Sequence, residues 1–397
     1  MANLFDYLEW RGDIPFSIDP FNEVDNLILS ELAYLSYRDI VPPDNTEVPI
    51  RKVCEAFFAR HERAEFLEMK TSAQKAAFLL EAAARAPRFR EMTMYYYLSE
   101  FDPDTSKQFS AVTFGIGDGT TYAAFRGTDG TLVGWKEDLE MTYLSETESH
   151  RRAVRYLDQI SDTGMLRTGG HSKGGNLAVY AAAFCKDQNR IINVYTNDSP
   201  GFREEVLQKQ GYRNIIPKVT RLIPSSSVIG RLLYHKAEQQ VVKSSASGLQ
   251  QHDGFTWSVQ RNRFERSKLT GLSGMVDDTL DGWLERTDDE EREFFIDNVF
   301  SLLASTDRST FREIKERKFR AAMAVLGAAI TAPKEKQVES LRIFDRLRQS
   351  SMETLSAYVN SRTGRSTAEK EAPEEPESSE NSVREEPSGE TGELPKE

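Results

Sequence analysis

At 397 residues and 39% hydrophobic content, the chain can bury a sizeable core and can hold one large domain or two or three small ones. Residues 366–397 carry −8 of the net charge of −12, because eleven Glu stand there against Lys370, Arg384 and Lys396. The rest is nearly balanced, which leaves no electrostatic case for nucleic-acid binding. Cys54 and Cys185 form neither a metal-ligand spacing nor a disulfide framework. The first residues carry acids where a signal peptide carries bases, and the longest weakly polar run, 321–331, is too short for a bilayer. A soluble, cytoplasmic protein without a transmembrane segment is expected.

Residues 1–13 carry Phe5, Leu8 and Trp10 among charges and read as a short docking segment. Leu27, Leu32, Tyr34 and Leu35 fall near helical spacing, which predicts an amphipathic helix over 21–37. Helices are also predicted over 51–69 and 72–86, the second stopped by Pro87. The pattern then changes to β-branched and aromatic runs at 92–101, 109–115 and 121–126, separated by turn residues, so a three-strand meander is expected. Helical patterns return at 135–143 and 150–160. Further strands are expected at 165–168, 191–196, 219–223 and 239–244, with a helix over 203–210 and a loop holding His252. Strands are expected to stop at Arg263, and helical periodicity follows at 269–284, 289–303, 309–330 and 335–359.

This order predicts an α/β fold: a mostly parallel sheet with flanking helices, resembling the α/β-hydrolase arrangement. It divides into an N-terminal helical segment packed on the core (1–90), the core (91–262) and a C-terminal helical extension or cap (263–365). Residues 366–397, rich in Glu, Pro, Ser and Gly, form an acidic tail expected to be disordered.

The chemistry centres on 165–184. Gly170-His171-Ser172-Lys173-Gly174 fits G-x-S-x-G, with a short apolar strand before it and an Ala-rich helix after it. The glycines belong there because the chain reverses so tightly that a Cβ two residues either side of the serine would collide with its neighbours. A serine that merely caps the helix is the competing structural reading.

A serine hydroxyl needs a base to take its proton and a third group to orient that base, in the chain order Ser, Asp or Glu, His. Only His235 and His252 follow Ser172. His252 lies in a loop beyond a late strand, where the base belongs, and is chosen. Asp198 ends the strand after the elbow and is the expected acid, whereas Asp253 adjoins His252 too closely in sequence to align well. Asp198 otherwise reads as a helix cap or turn residue. The oxyanion donors are expected to be the Lys173 N–H and Thr128, in the loop 124–130.

Phe125-Arg126-Gly127-Thr128, Trp135-x-x-Asp138 and Gly170-His171-Ser172-x-Gly174-Gly175-Asn176-Leu177-Ala178 together resemble the lipase class 3 group of α/β-hydrolases, particularly a bacterial branch of it. The resemblance covers about 92–259. It implies that Thr128 serves the oxyanion hole, that Trp135 and Asp138 buttress its loop, and that Ser172 is the nucleophile. The family's usual acid follows the next strand, where this chain has Ser225, Ser226 and Ser227. Lys173 reads either as a cation favouring an anionic substrate or as a solvated lysine at a helix start.

The expected function is a serine hydrolase cleaving carboxylic esters of lipids or small acyl groups, with no metal or organic cofactor and a small-molecule or lipid ester as partner. The alternative is a hydrolase-fold interaction protein with impaired catalysis, whose protein partner the sequence does not name.

Overall fold

The computed structural model describes residues 1–129, 131–160, 164–271 and 282–304. Among them, eight strands form one sheet whose spatial order is the chain order. The strands are β1 (Val48–Pro49), β2 (Thr93–Asp102), β3 (Lys107–Gly115), β4 (Thr120–Phe125), β5 (Met165–His171), β6 (Ile191–Asn197), β7 (Val219–Pro224) and β8 (Gln239–Val242). Neighbours pair antiparallel from β1 to β4 and parallel from β4 to β8. A smaller hairpin joins β9 (Val259–Gln260) to β10 (Arg263–Phe264), so strand structure continues slightly past the predicted end at Arg263.

The helices are α1 (Leu4–Arg11), α2 (Glu23–Leu32), α3 (Ile50–Arg60), α4 (Ser72–Arg85), α5 (Pro87–Arg90), α6 (Leu132–Glu140), α7 (Glu148–Gln159), α8 (Lys173–Phe184), α9 (Glu204–Leu207), α10 (Gln210–Ile215) and α11 (Asp289–Ala304). The helix predicted over 51–69 stops at Arg60, because His61 turns extended (φ −127°, ψ 134°) and only a short 3₁₀ turn follows. The one predicted over 203–210 is two short helices, α9 and α10. Residues 272–281, the helices predicted over 309–330 and 335–359, and the acidic tail from 366 lie outside the described residues.

The two faces of the sheet have different covers, and topology explains why. Parallel strands laid down in strict chain order, each joined by a right-handed crossover, send every crossover helix to the same face. That face holds Ala123, Phe125, Tyr156, Leu177, Ala181, Val194 and Tyr212, which belong to β4, β6, α7, α8 and α10. The opposite face, which carries the alternate residues Tyr122 and Ala124 of β4, packs against Leu4, Leu27, Leu32, Leu80 and other side chains of the N-terminal helices. Residues 1–13 indeed dock: Leu4, Tyr7 and Leu8 of α1 are buried. The result is an α/β-hydrolase-like fold in which the N-terminal segment supplies the second helical layer. No helix among the described residues is long and apolar enough to cross a membrane.

Candidate active site

The elbow forms where β5 ends and α8 begins. Ser172 stands between them at φ 57° and ψ −133°, a conformation that costs a non-glycine residue roughly 1–3 kcal/mol and persists only where its surroundings enforce it. Here the Ser172 N–H donates to the Asn197 carbonyl at 3.0 Å, and its own carbonyl accepts from the Gly175 N–H at 3.0 Å. A Cβ on Gly174 would strike the Phe125 carbonyl, so only glycine lets α8 lie this close to β4. Ser172 faces a cavity of about 430 Å³ that Thr128, Asp138, Asp198 and His252 also line.

Asp198, directly after β6, also takes a left-handed conformation (φ 48°), which Asp tolerates better than most residues. Its Oδ2 accepts from Nδ1 of His252 at 2.7 Å. A carboxylate only accepts, so this imidazole carries its proton on Nδ1 and leaves Nε2 as the basic nitrogen. The Asp198 side chain is 1% exposed and that of His252 30%, so a buried carboxylate stands behind a reachable imidazole. Asp198 caps no helix. Its Oδ1 accepts from the Ser227 hydroxyl at 2.5 Å and from the Gly230 N–H at 3.1 Å. A Cβ on Gly230 would meet that same oxygen. The serine run at 225–227, where the resemblance led to an acid being expected, therefore reaches from the end of β7 to Asp198 just after β6. The sequence marked this stretch as a departure without disclosing the contact.

Asp253 points elsewhere, pairing with Lys75 and capping the 3₁₀ turn Gly254–Thr256. The His252 loop is fixed on both sides of that residue. Gln251 accepts on Oε1 from the Ser226 N–H and on its carbonyl from Nε1 of Trp257, both at 2.8 Å.

The hydroxyl of Thr128, the residue expected to serve the oxyanion, donates to Oδ2 of Asp138 at 2.5 Å. The other oxygen of Asp138 is shut from solvent without a partner, and burial pushes the carboxyl up to about 6 against the pull of Lys173 and Thr128. Trp135, three residues earlier on the same face of α6, lines the cavity and remains 37% exposed.

Lys173 corrects both readings of its side chain. It is 0% exposed, and its ammonium donates to the Gln108 carbonyl (2.9 Å), to Gln108 Oε1 (3.0 Å) and to Glu137 Oε2 (2.8 Å). It is neither solvated nor available to an anionic ligand, because burial of a lysine requires the compensating carboxylate that Glu137 supplies. Burial alone would push the Glu137 carboxyl up, but Lys173, Ser149 and the Gln108 N–H outweigh it and hold the group below its ordinary value. The remaining walls are apolar, chiefly Val228, Ile229, Leu232, Leu249, Trp283 and Leu284. Among the described residues, no group of three or more His, Cys, Asp or Glu is placed to hold a metal ion.

No curated protein matches the chain. Among solved structures, the crystal structure of M37 lipase aligns with 46% of this chain and 69% of its own, at 16% identity and a TM-score of 0.30. Residues 83–301, just over half of the chain and spanning the elbow, Asp198 and His252, match the Mbeg1-like family. The chain belongs to the Mbeg1-like family.

Proposed function

We propose that this protein is a serine hydrolase acting on neutral carboxylic esters with an apolar acyl group. The observation that carries the reading is the 2.7 Å bond from His252 Nδ1 to Asp198, which leaves the other imidazole nitrogen basic in the cavity that Ser172 faces. In the reaction, Ser172 Oγ attacks the ester carbonyl while His252 Nε2 takes its proton and passes it to the leaving alkoxide. Asp198 stabilises the transient imidazolium, and the main-chain N–H groups of Lys173 and Thr128 receive the oxyanion. Water then releases the acyl group by the same steps in reverse order. The apolar walls, with the nearby lysine already neutralised by Glu137, favour an uncharged substrate over an anionic one.

The competing view, a hydrolase fold retained only for binding, drew its support from the serines at 225–227. Ser227 donating to Asp198 favours the catalytic reading over it. We further propose that the protein acts in the cytoplasm, a reading supported by the free thiols Cys54 and Cys185. The division into residues 1–90, 91–262 and 263–365 is proposed on the same footing.

The test is turnover of p-nitrophenyl esters from acetate to palmitate, with fluorophosphonate labelling alongside. Wild type is expected to be labelled and to turn over esters. Ser172→Ala should do neither, and a label on another residue would overturn the assignment. Thr128→Val keeps the backbone N–H but deletes the hydroxyl bond to Asp138 that fixes it, and should lower kcat roughly 10- to 100-fold with KM little changed. An effect confined to KM would move Thr128 from oxyanion stabilisation to ground-state binding.

A further inference from the structure

The residue before the nucleophile, His171, has no part in the reaction just proposed, yet its ring is fully engaged. Its Nε2 lies 2.7 Å from the main-chain carbonyl of His252, and its Nδ1 lies 2.9 Å from the hydroxyl of Tyr34. The carbonyl can only accept, so Nε2 carries the hydrogen and donates. In a neutral ring Nδ1 then accepts, and the Tyr34 O–H is its donor. The same ring also lies against the imidazole of His252, with centroids 4.5 Å apart and planes inclined by 37°.

We propose that His171 is a positioning residue that clamps the general base: it holds the backbone of His252 by one nitrogen, accepts from Tyr34 by the other, and backs the face of the imidazole. The proposal rests on the triad reading above. Its physical content is that His252 sits on a short 3₁₀ turn, Gly248–His252, and not on a strand or long helix. The side chain is anchored at Asp198, and the main chain of the same residue is anchored at His171. With both ends held, the basic nitrogen keeps one position relative to Ser172.

The arrangement also explains why His171 has to be neutral. Proton transfer makes His252 a cation, and a second imidazolium at this distance would oppose it. Burial, together with the neighbouring His252, holds the His171 imidazole down to about 4. Glu31 of α2 approaches Nδ1 at 3.9 Å, and burial pushes its own carboxyl well above the ordinary range. Asp198 and Asp253 pull the His171 imidazole the other way, but Asp253 is paired with Lys75 of α4, Asp198 accepts from Ser227, Gly230 and His252, and burial outweighs both.

Three variants and two readouts test the clamp. His171→Phe keeps a ring against His252 but loses both hydrogen bonds. It should lower kcat roughly 10- to 100-fold, the scale of a modest misplacement of a reacting group, with KM little changed. His171→Gln retains a side-chain N–H for the His252 carbonyl and should recover most of the loss. Tyr34→Phe leaves the ring in place and removes only the partner of Nδ1. Ring-nitrogen NMR at neutral pH should show His171 in the Nε2–H form in wild type and in Tyr34→Phe alike, because the His252 carbonyl selects it. An unchanged kcat in His171→Phe would overturn the proposal, as would the Nδ1–H tautomer in wild type. The NMR arm does not depend on turnover. A wild type with the Nε2–H tautomer but no turnover or labelling would remove the triad reading and with it the catalytic role of the clamp, whereas an active wild type with an unaffected His171→Phe would remove the clamp alone.

Discussion

Asp198→Asn is expected to lower kcat by about 10⁴-fold while leaving the fold intact. The backbone at this position is left-handed (φ 48°), and Asn accepts that conformation as readily as Asp. The amide can still offer an oxygen to the Ser227 hydroxyl and the Gly230 N–H, both of which the carboxylate serves in the wild type. What changes is the group facing His252. An N–H₂ there meets Nδ1 as a donor and forces the imidazole proton onto Nε2, the nitrogen that the proposed mechanism needs free to accept the Ser172 proton. The defect is therefore one of tautomer, and the variant's melting temperature should stay close to wild type. Ester turnover near pH 8, with thermal unfolding measured on the same samples, checks both halves. A loss below tenfold would remove Asp198 from the acid's role.

That prediction was within reach of the sequence because the elbow advertises itself. Glycines around Ser172 and the apolar strand before it are local signals, and the order Ser, Asp, His restricts the rest. The sheet was legible for the same reason: strands of β-branched and aromatic residues between turn residues fix type and order locally. Boundaries were less legible. Nothing within 51–69 announces that His61 will leave the helix, since the break is set by how the following turn packs. The supports of the site were not legible at all. Ser227 reaches Asp198 from the end of β7, Tyr34 reaches His171 from beyond α2, and Glu137 reaches Lys173 from α6. Each depends on elements brought together by the sheet, not on spacing. Lys173 shows the cost of the missing dimension: a lysine one residue after the serine of a strand-to-helix turn reads as a surface charge until its burial is known.

Lys173→Met is expected to destabilise the protein by about 3–5 kcal/mol, because it leaves a buried carboxylate without its cation. The pair is fully enclosed, with side-chain exposures of 0% and 1%, so solvent does not soften the loss. Its pH dependence separates this mechanism from ordinary loss of packing. In the wild type the Glu137 carboxyl lies below its ordinary value. The pair therefore contributes fully above the unfolded carboxyl's range, near 4.3, and the contribution is lost as pH falls through the lower folded value. In Lys173→Met the sign reverses. Burial without the ammonium raises the Glu137 carboxyl, so the folded state keeps the proton, and stability is lost as pH rises above the unfolded value. Denaturant unfolding of both proteins should show a small difference near pH 4 and the full difference near pH 8. Glu137→Gln added to Lys173→Met should recover much of the loss, because the uncompensated charge is gone. A penalty equal at both pH values, and undiminished in the double variant, would mean that the lysine's packed methylenes and not its charge hold the elbow helix to α6.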